Sequence, residues 1–109
     1  MTIDDAHTVI AALVPDLMDQ SRIRSGLGEA VTFIRKIDAI GELDPPPDTV
    51  VVDLRRPGVI EACAGIGAHV IGFGPHVDDD LLAAATDAGI DEVLPRSVFF
   101  SRVQRGTLA

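Results

Sequence analysis

The chain has 109 residues, of which 47% are hydrophobic and four, all phenylalanine, are aromatic, and this predicts one globular domain with an aliphatic core. Nine basic residues against 17 acidic ones give a formal net charge of -8, which repels nucleic acids and anionic membranes, so we expect neither as a partner. No apolar run approaches the length of a membrane span, about 20 residues, the N-terminus lacks a signal-peptide pattern, and Cys63 is the single cysteine, so we expect a cytoplasmic protein without internal disulfides.

The first third of the chain predicts two strands and a helix. Residues 8–14 form a nearly continuous apolar run, and Pro15 stops it because proline has no amide hydrogen for a strand ladder. Asp16 is placed to cap the following helix, whose apolar residues recur at helical spacing as far as Leu27. Residues 30–34 are rich in β-favouring types and predict a second strand at an edge of the sheet.

The middle of the chain contains the most buried predicted strand. Residues 36–43 carry apolar side chains at a spacing that predicts a short helix, and the prolines within 44–48 end it and form a rigid connector. Residues 49–54 then read Thr-Val-Val-Val-Asp-Leu, without polar alternation, which predicts a strand buried on both faces. The strand ends on a single carboxylate, Asp53.

The rest of the chain continues the alternation of helix and strand. Glycine and proline mark the turns, and the acidic residues 78–80 suit the N-terminus of a helix because of its dipole. The predicted elements are a helix at 59–66, a strand at 69–73, a helix from 78 to a cap at Gly89, a strand at 91–94 and a helix at 97–104 with Ser97 as its N-cap.

Strand and helix thus alternate five times with short connectors. This pattern predicts an α/β fold in which a five-stranded parallel sheet carries helices on both faces. We predict the flavodoxin-like strand order 2-1-3-4-5. The domain is predicted at residues 8–105, between a flexible N-terminal tail at 1–7 and a C-terminal tail at 106–109.

In this strand order, residues that follow the strand ends meet at one edge of the sheet, where such folds bind ligands. Asp16 and Asp53 flank the point where the strand order reverses, and two carboxylates there predict a weak Mg²⁺ site completed by water. A turn residue is an equally simple interpretation of Asp53. The other residues predicted to line this edge are Pro15, Gly74, His76 and Arg96.

Several catalytic and cofactor motifs are absent from the sequence. There is no Gly-x-Gly-x-x-Gly turn, no Walker-type loop and no Gly-x-Ser-x-Gly elbow. His7, His69 and His76 are not spaced like metal ligands, and Cys63 offers no thiolate pair. We therefore predict a protein that is not an enzyme and has no certain cofactor.

Three stretches in the second half of the sequence form a recognisable pattern: Val-Val-Val-Asp-Leu at 50–54, Val-Ile-Gly-Phe-Gly-Pro-His-Val-Asp at 70–78 and Ala-Gly-Ile-Asp-Glu-Val-Leu-Pro-Arg at 88–96. With these stretches the chain resembles the receiver domain of bacterial two-component response regulators. The resemblance covers residues 49–103 well and 8–27 loosely. It implies that Asp53 occupies the position of the aspartate that accepts a phosphoryl group in that family.

The sequence departs from the receiver pattern at the residues that surround this aspartate. Pro15 and Asp16 stand where the family has an acidic pair for Mg²⁺, so one carboxylate is missing. Gly74 replaces the hydroxyl residue that reports phosphorylation, and Arg96 replaces a lysine. Residues 55–58, Arg-Arg-Pro-Gly, also differ from the family pattern. The resemblance therefore implies a degenerate, pseudo-receiver version.

Our preferred hypothesis is a stand-alone receiver-like signalling domain that acts by contact with a protein partner or a second copy of itself, without ordinary phosphorylation switching. The last helix and the fifth strand are the predicted contact surface. Its residues Val98, Phe99, Phe100 and Val103 cannot all point inward on one helix, so we expect at least one phenylalanine to be an exposed anchor.

Two alternatives remain. The first is a working phosphoacceptor in which Asp16, Asp53 and Arg96 suffice with Mg²⁺. The second is a protein that binds a small anionic ligand at the same crevice through His76 and Arg96.

Overall fold

Five parallel strands form one sheet in the structure, a computed structural model that describes residues 9–106 of the chain. Their order across the sheet is β2-β1-β3-β4-β5, which confirms the predicted topology. The strands are β1 (Ile10–Leu13), β2 (Val31–Phe33), β3 (Thr49–Asp53), β4 (His69–Gly74) and β5 (Glu92–Pro95). The described helices are α1 (Leu17–Leu27), α2 (Val59–Ala62), α3 (Asp79–Asp87) and α4 (Arg96–Gln104), with 3₁₀ segments at Gly28–Ala30 and Ile37–Glu42.

The core has two layers, one on each face of the sheet, because successive side chains of a strand point to opposite faces. On one face Val51 packs with Ile23 of α1 and Phe99 of α4. On the other face Val52 packs in a cluster that includes Ala85 of α3. Helices therefore cover both faces, as predicted, and every residue of the central β3 is buried, which explains its unbroken apolar run.

The two shortest predicted helices differ from expectation. Residues 36–43 form a 3₁₀ segment, Ile37–Glu42, instead of an α-helix. The helix predicted at 59–66 ends at Ala62, and turns continue to Gly65, whose φ is +82°. Segments this short gain few α-helical hydrogen bonds, so tighter turns compete with the helix.

The start of the last helix was also predicted incorrectly. Pro95 belongs to β5, which it can do because β5 is the edge strand of the sheet formed by the described residues and pairs there with β4 alone. Helix α4 begins at the next residue, Arg96, so Ser97 lies inside its first turn and is not its N-cap.

The prediction of an exposed phenylalanine on the last helix is wrong. Phe99, Phe100 and Val103 are all buried. The ring of Phe99 stacks on Phe73 with centroids 4.3 Å apart, and Phe100 meets Phe73 edge to face at 5.5 Å. Helix α1 covers this cluster closely because Gly26 has no Cβ, which would otherwise overlap the carbonyl oxygen of Val103. The close approach of α1 lets three apolar residues of one short helix point inward.

The predicted tail at 1–7 and most of the tail at 106–109 lie outside the described residues, so the domain limits stay predictions. Between residues 9 and 106, no helix has the length and apolar character needed to cross a bilayer. The expected cytoplasmic location and the expected absence of nucleic-acid and membrane partners also stay predictions.

Candidate functional site

Asp53 lies at the carboxyl end of β3 with its carboxylate clamped by a neighbouring arginine. The residue is only 3% exposed. The Arg55 guanidinium donates from Nη2 to Oδ2 at 2.9 Å and from Nε to Oδ1 at 3.2 Å. The Arg55 amide donates to the same Oδ1 at 3.0 Å, which closes a turn after the strand. Asp53 is therefore both a turn residue and one half of a bidentate ion pair, and these hydrogen bonds raise the pKa of Arg55.

A second bidentate pair joins α1 to α4. Arg96 donates from Nη1 to Oδ2 of Asp19 at 2.9 Å and from Nη2 to Oδ1 at 2.8 Å. These hydrogen bonds lower the pKa of Asp19 against the opposing effect of burial, and they raise the pKa of Arg96. The same guanidinium lies 5.1 Å from the ring centroid of Phe100, within reach of a cation–π contact.

The two pairs are electrostatic neighbours at one edge of the sheet. The charge of Arg55 contributes to the lowered pKa of Asp19, and the charge of Asp53 contributes to the raised pKa of Arg96. The sequence correctly placed Asp53 and Arg96 at this edge, but Arg96 meets Asp19 instead of Asp53. Asp19 and Arg55 were not predicted as site residues.

Asp16 caps helix α1 as predicted. Its Oδ1 accepts hydrogen bonds from the amides of Met18 and Asp19 at 2.8 and 2.9 Å, so this oxygen is directed at the helix N-terminus. Pro15 before it is exposed and contributes no ligand. Among residues 9–106, no three histidine, cysteine, aspartate or glutamate side chains are grouped closely enough to hold a metal ion.

The remaining predicted residues lie on the other side of Asp53. Gly74 ends β4 beside Pro95 of β5, and a Cβ built on it would lie 3.4 Å from the side chains of Leu81 and Leu82. Leucines of α3 thus border the place of a side chain at this position. His76 is exposed in the loop that precedes α3.

Exposed apolar side chains surround this edge of the sheet. Leu17 and Met18 in the first turn of α1 are 77% and 78% exposed, and Val77 after β4 is 77% exposed. Val98 in the first turn of α4 is 42% exposed, whereas the other three apolar residues named for the predicted contact surface are buried. Because all four follow the carboxyl ends of strands, they share the edge that holds Asp53.

No protein-family model and no curated protein matches the sequence. Solved structures do match the fold. A response regulator from Hahella chejuensis aligns with a TM-score of 0.68 and 19% identity, over 88% of this chain and 89% of that one. A structure described as the BeF3 activated DrrB receiver domain aligns with a TM-score of 0.67 and 19% identity, over 91% of this chain and 96% of that one. The chain has the fold of response regulator receiver domains.

Proposed function

We propose that this receiver fold serves as a regulatory domain that acts by protein–protein contact, catalyses no reaction and is not switched by ordinary phosphorylation. The observation that carries the proposal is the Arg55 clamp on Asp53. Both carboxylate oxygens accept hydrogen bonds from one guanidinium, in the position where a receiver aspartate would meet a phosphoryl donor. In metal-assisted phosphoryl transfer a metal ion supplies positive charge at the carboxylate. Here the Arg55 guanidinium occupies both oxygens that such an ion would approach.

The donor set does not fit a resident Mg²⁺. A metal ion at Asp53 would have to displace the Arg55 guanidinium, and Asp16 directs one oxygen at two helix amides. Asp19 has both oxygens bound by Arg96. Since Mg²⁺ needs carboxylates that are free to enter an octahedral shell, the predicted weak site at Asp16 and Asp53 is not part of this proposal.

The parts that would read out a phosphoryl group are also changed. Gly74 has no hydroxyl to follow a new charge, and Leu81 and Leu82 border its place. Arg96 is held by Asp19, so its guanidinium is not directed at Asp53. A phosphoryl group on Asp53 would therefore meet neither a switch hydroxyl nor a free cation at the end of β5.

The exposed apolar residues at the same edge support a partner contact there. Leu17, Met18, Val77 and Val98 would lose water-exposed apolar surface on binding, which is the main driving force of protein association. We therefore assign the proposed contact surface to the carboxyl edge of the sheet, with the beginning of α4 as only one part of it. Sedimentation velocity of the isolated protein at several concentrations distinguishes a second copy from a different partner protein, because only self-association makes the sedimentation coefficient rise with concentration.

One structural observation favours the alternative in which Asp53 is a phosphoacceptor. Asp53 lies at the carboxyl end of the central strand, and the side chain of Arg55 is 48% exposed, so it has room to swing away. The anionic-ligand alternative at His76 and Arg96 has less support, because Asp19 already binds Arg96. A thermal-shift screen against phosphorylated metabolites tests that second alternative.

The deciding experiment is incubation with acetyl phosphate and Mg²⁺, followed by intact-protein and peptide mass spectrometry. We expect no adduct at Asp53 in the wild type, and the Asp53→Asn variant provides the baseline. An established receiver domain in the same tube shows that the reagent is active. A stable phosphoryl adduct at Asp53 would overturn the proposal, and amide chemical-shift changes around Asp16 and Asp53 at millimolar Mg²⁺ would favour the phosphoacceptor alternative.

A further inference from the structure

A groove runs along the carboxyl ends of β1 and β2, beside the site already described. Its larger part is a cavity of about 620 Å³ whose lining combines the apolar residues Val14, Leu17 and Phe33 with polar side chains that include Gln20. A smaller cavity of about 220 Å³ continues it past Leu13 and Arg56, which line both parts. The larger volume falls within the range of small-molecule sites, roughly 300 to 1,000 Å³.

Three cations border this groove, and none forms an ion pair with a carboxylate of residues 9–106. Arg35 lines the larger cavity, Lys36 the smaller one, and Arg56 both. No carboxylate among the described residues lies within 4 Å of any of the three, whereas Arg55, Arg96 and Arg102 all have such partners. Arg56 donates from Nη2 to the carbonyl oxygen of Arg35 at 3.0 Å, which holds its guanidinium between the cavities.

This concentration of positive charge is unusual for a chain with a net charge of -8. The acidic side chains nearby do not cancel it. Asp38 lines the smaller cavity without an ion pair to the three cations, and Asp16 is engaged with the amides of α1. Cations without a carboxylate partner among residues 9–106, beside a cavity that is lined in part by apolar side chains, are complementary to a ligand with an anionic head and an apolar body.

We propose that this groove binds a small organic anion, in which a carboxylate or phosphate group meets Arg35, Lys36 and Arg56 and an apolar portion fills the cavity beside Val14 and Phe33. A small ligand suits the site better than an acidic polypeptide. It brings one or two charges to the cations, whereas an acidic polypeptide adds many charges that the net negative protein repels. The proposal is independent of Asp53 and of its phosphorylation state.

The test is a titration of ¹⁵N-labelled protein, followed by amide chemical shifts. The probes are octanoate and octyl phosphate below their micelle concentrations, with octanol and inorganic phosphate as the matching apolar and anionic fragments. We expect saturable shifts for both anions, centred on the amides of residues 13–14, 33–36 and 55–56. Each fragment alone should bind at least about tenfold more weakly, because it makes only one of the two kinds of contact.

Charge-neutralising variants show whether the cations carry the binding. We expect Arg56→Gln to weaken octyl phosphate binding by at least about tenfold, as expected for the loss of a hydrogen bond to a charged group, and the exposed Lys36→Gln to weaken it by a smaller factor without risk to the fold. Arg105→Gln, at the residue after the end of α4 and outside the lining of both cavities, changes the net charge equally and should leave binding unchanged.

Several outcomes would overturn the proposal. One is equal affinity for octanol and octyl phosphate, which would show that the cations are not used. Another is an equal loss of binding in Arg105→Gln, which would reduce the effect to overall charge. A third is binding of an acidic peptide at these amides in the absence of any response to octanoate or octyl phosphate, which would assign the groove to a protein segment.

Discussion

Two arginine–carboxylate pairs lie side by side at the carboxyl edge of the sheet, and they differ in what they connect. Arg55 reaches back two residues to Asp53 within one turn. Arg96 reaches across 77 positions of sequence to Asp19 and so joins the first helix to the last. Their geometry is similar, since each is bidentate with a nearly buried carboxylate.

The difference separates a contact between two helices from a contact within one turn. The Arg96–Asp19 pair adds a charged contact to the packing of α1 on α4 and closes over Phe100, so its loss affects the folded state. The Arg55–Asp53 pair is local, and its arginine side chain is 48% exposed, so it can open without moving any helix. The first pair should therefore govern stability, and the second should govern access to Asp53.

The largest expected effect comes from breaking the pair that joins the helices. Arg96→Met keeps the aliphatic stem but leaves the Asp19 carboxylate without its partner, so we expect a loss of about 2 kcal/mol in the free energy of unfolding. Urea denaturation at pH 7 measures it. Arg105→Met, on an exposed arginine near the end of the chain, is the matched control and should change stability by less than about 0.5 kcal/mol.

Acid should weaken the same pair. Arg96 holds the pKa of Asp19 below its usual range, so the folded protein binds the proton less readily than the unfolded chain does. The stabilisation is present above the unfolded pKa, about 3.9, and is lost as the pH falls through the lower folded value. Urea denaturation between pH 6 and pH 2.5 measures the slope, which should be shallower in Asp19→Asn and in Arg96→Met. An unchanged slope in both variants would contradict the assignment.

Breaking the Arg55–Asp53 pair should cost less stability than breaking the Arg96–Asp19 pair, but it should make Asp53 accessible to Mg²⁺. In Arg55→Met the Asp53 carboxylate loses two hydrogen bonds but becomes accessible to water, so we expect a loss of only about 1 kcal/mol in the free energy of unfolding. We also expect Asp53 to respond to millimolar Mg²⁺ in NMR titrations, which the wild type should not do. Arg56→Met serves as the control, because the wild-type Arg56 guanidinium donates to the Arg35 carbonyl oxygen and not to Asp53. Equal Mg²⁺ responses in wild type and Arg55→Met would show that the clamp does not exclude the ion.

The sheet could be predicted from the sequence because its signals are local. The apolar run of β3, the proline and glycine boundaries and the Asp16 cap each depend on neighbouring residues. The short segments were predicted less well. Residues 36–43 and 59–66 contain too few residues for periodicity to separate an α-helix from 3₁₀ turns.

The sequence predicted where Asp53 and Arg96 lie but not which side chains they bind. Asp53 and Arg96 were placed at the correct edge by the strand order alone. The partner of Arg96 was missed because Asp19 resembles any polar residue on an exposed helix face, and its burial depends on how α1 meets α4. Arg55 carried a signal that could have been used, since an arginine two residues after a strand-end aspartate can fold back onto it. The burial of both Phe99 and Phe100 was missed because the close approach allowed by Gly26 is a tertiary feature.

The smallest expected effect lies at the amino ends of β4 and β5, away from Asp53. There Glu92 accepts hydrogen bonds from His69 at 2.8 Å and from Arg102 at 2.7 Å, and these bonds hold the pKa of Glu92 below its usual range. All three side chains are partly exposed, so solvent and salt screen the attraction. We expect Glu92→Gln to cost about 0.5 kcal/mol of unfolding free energy at low ionic strength and still less in 0.5 M NaCl, measured by urea denaturation. A cost as large as that of Arg96→Met would contradict this comparison. It would show that an ion pair between two helices contributes no more stability than an exposed one.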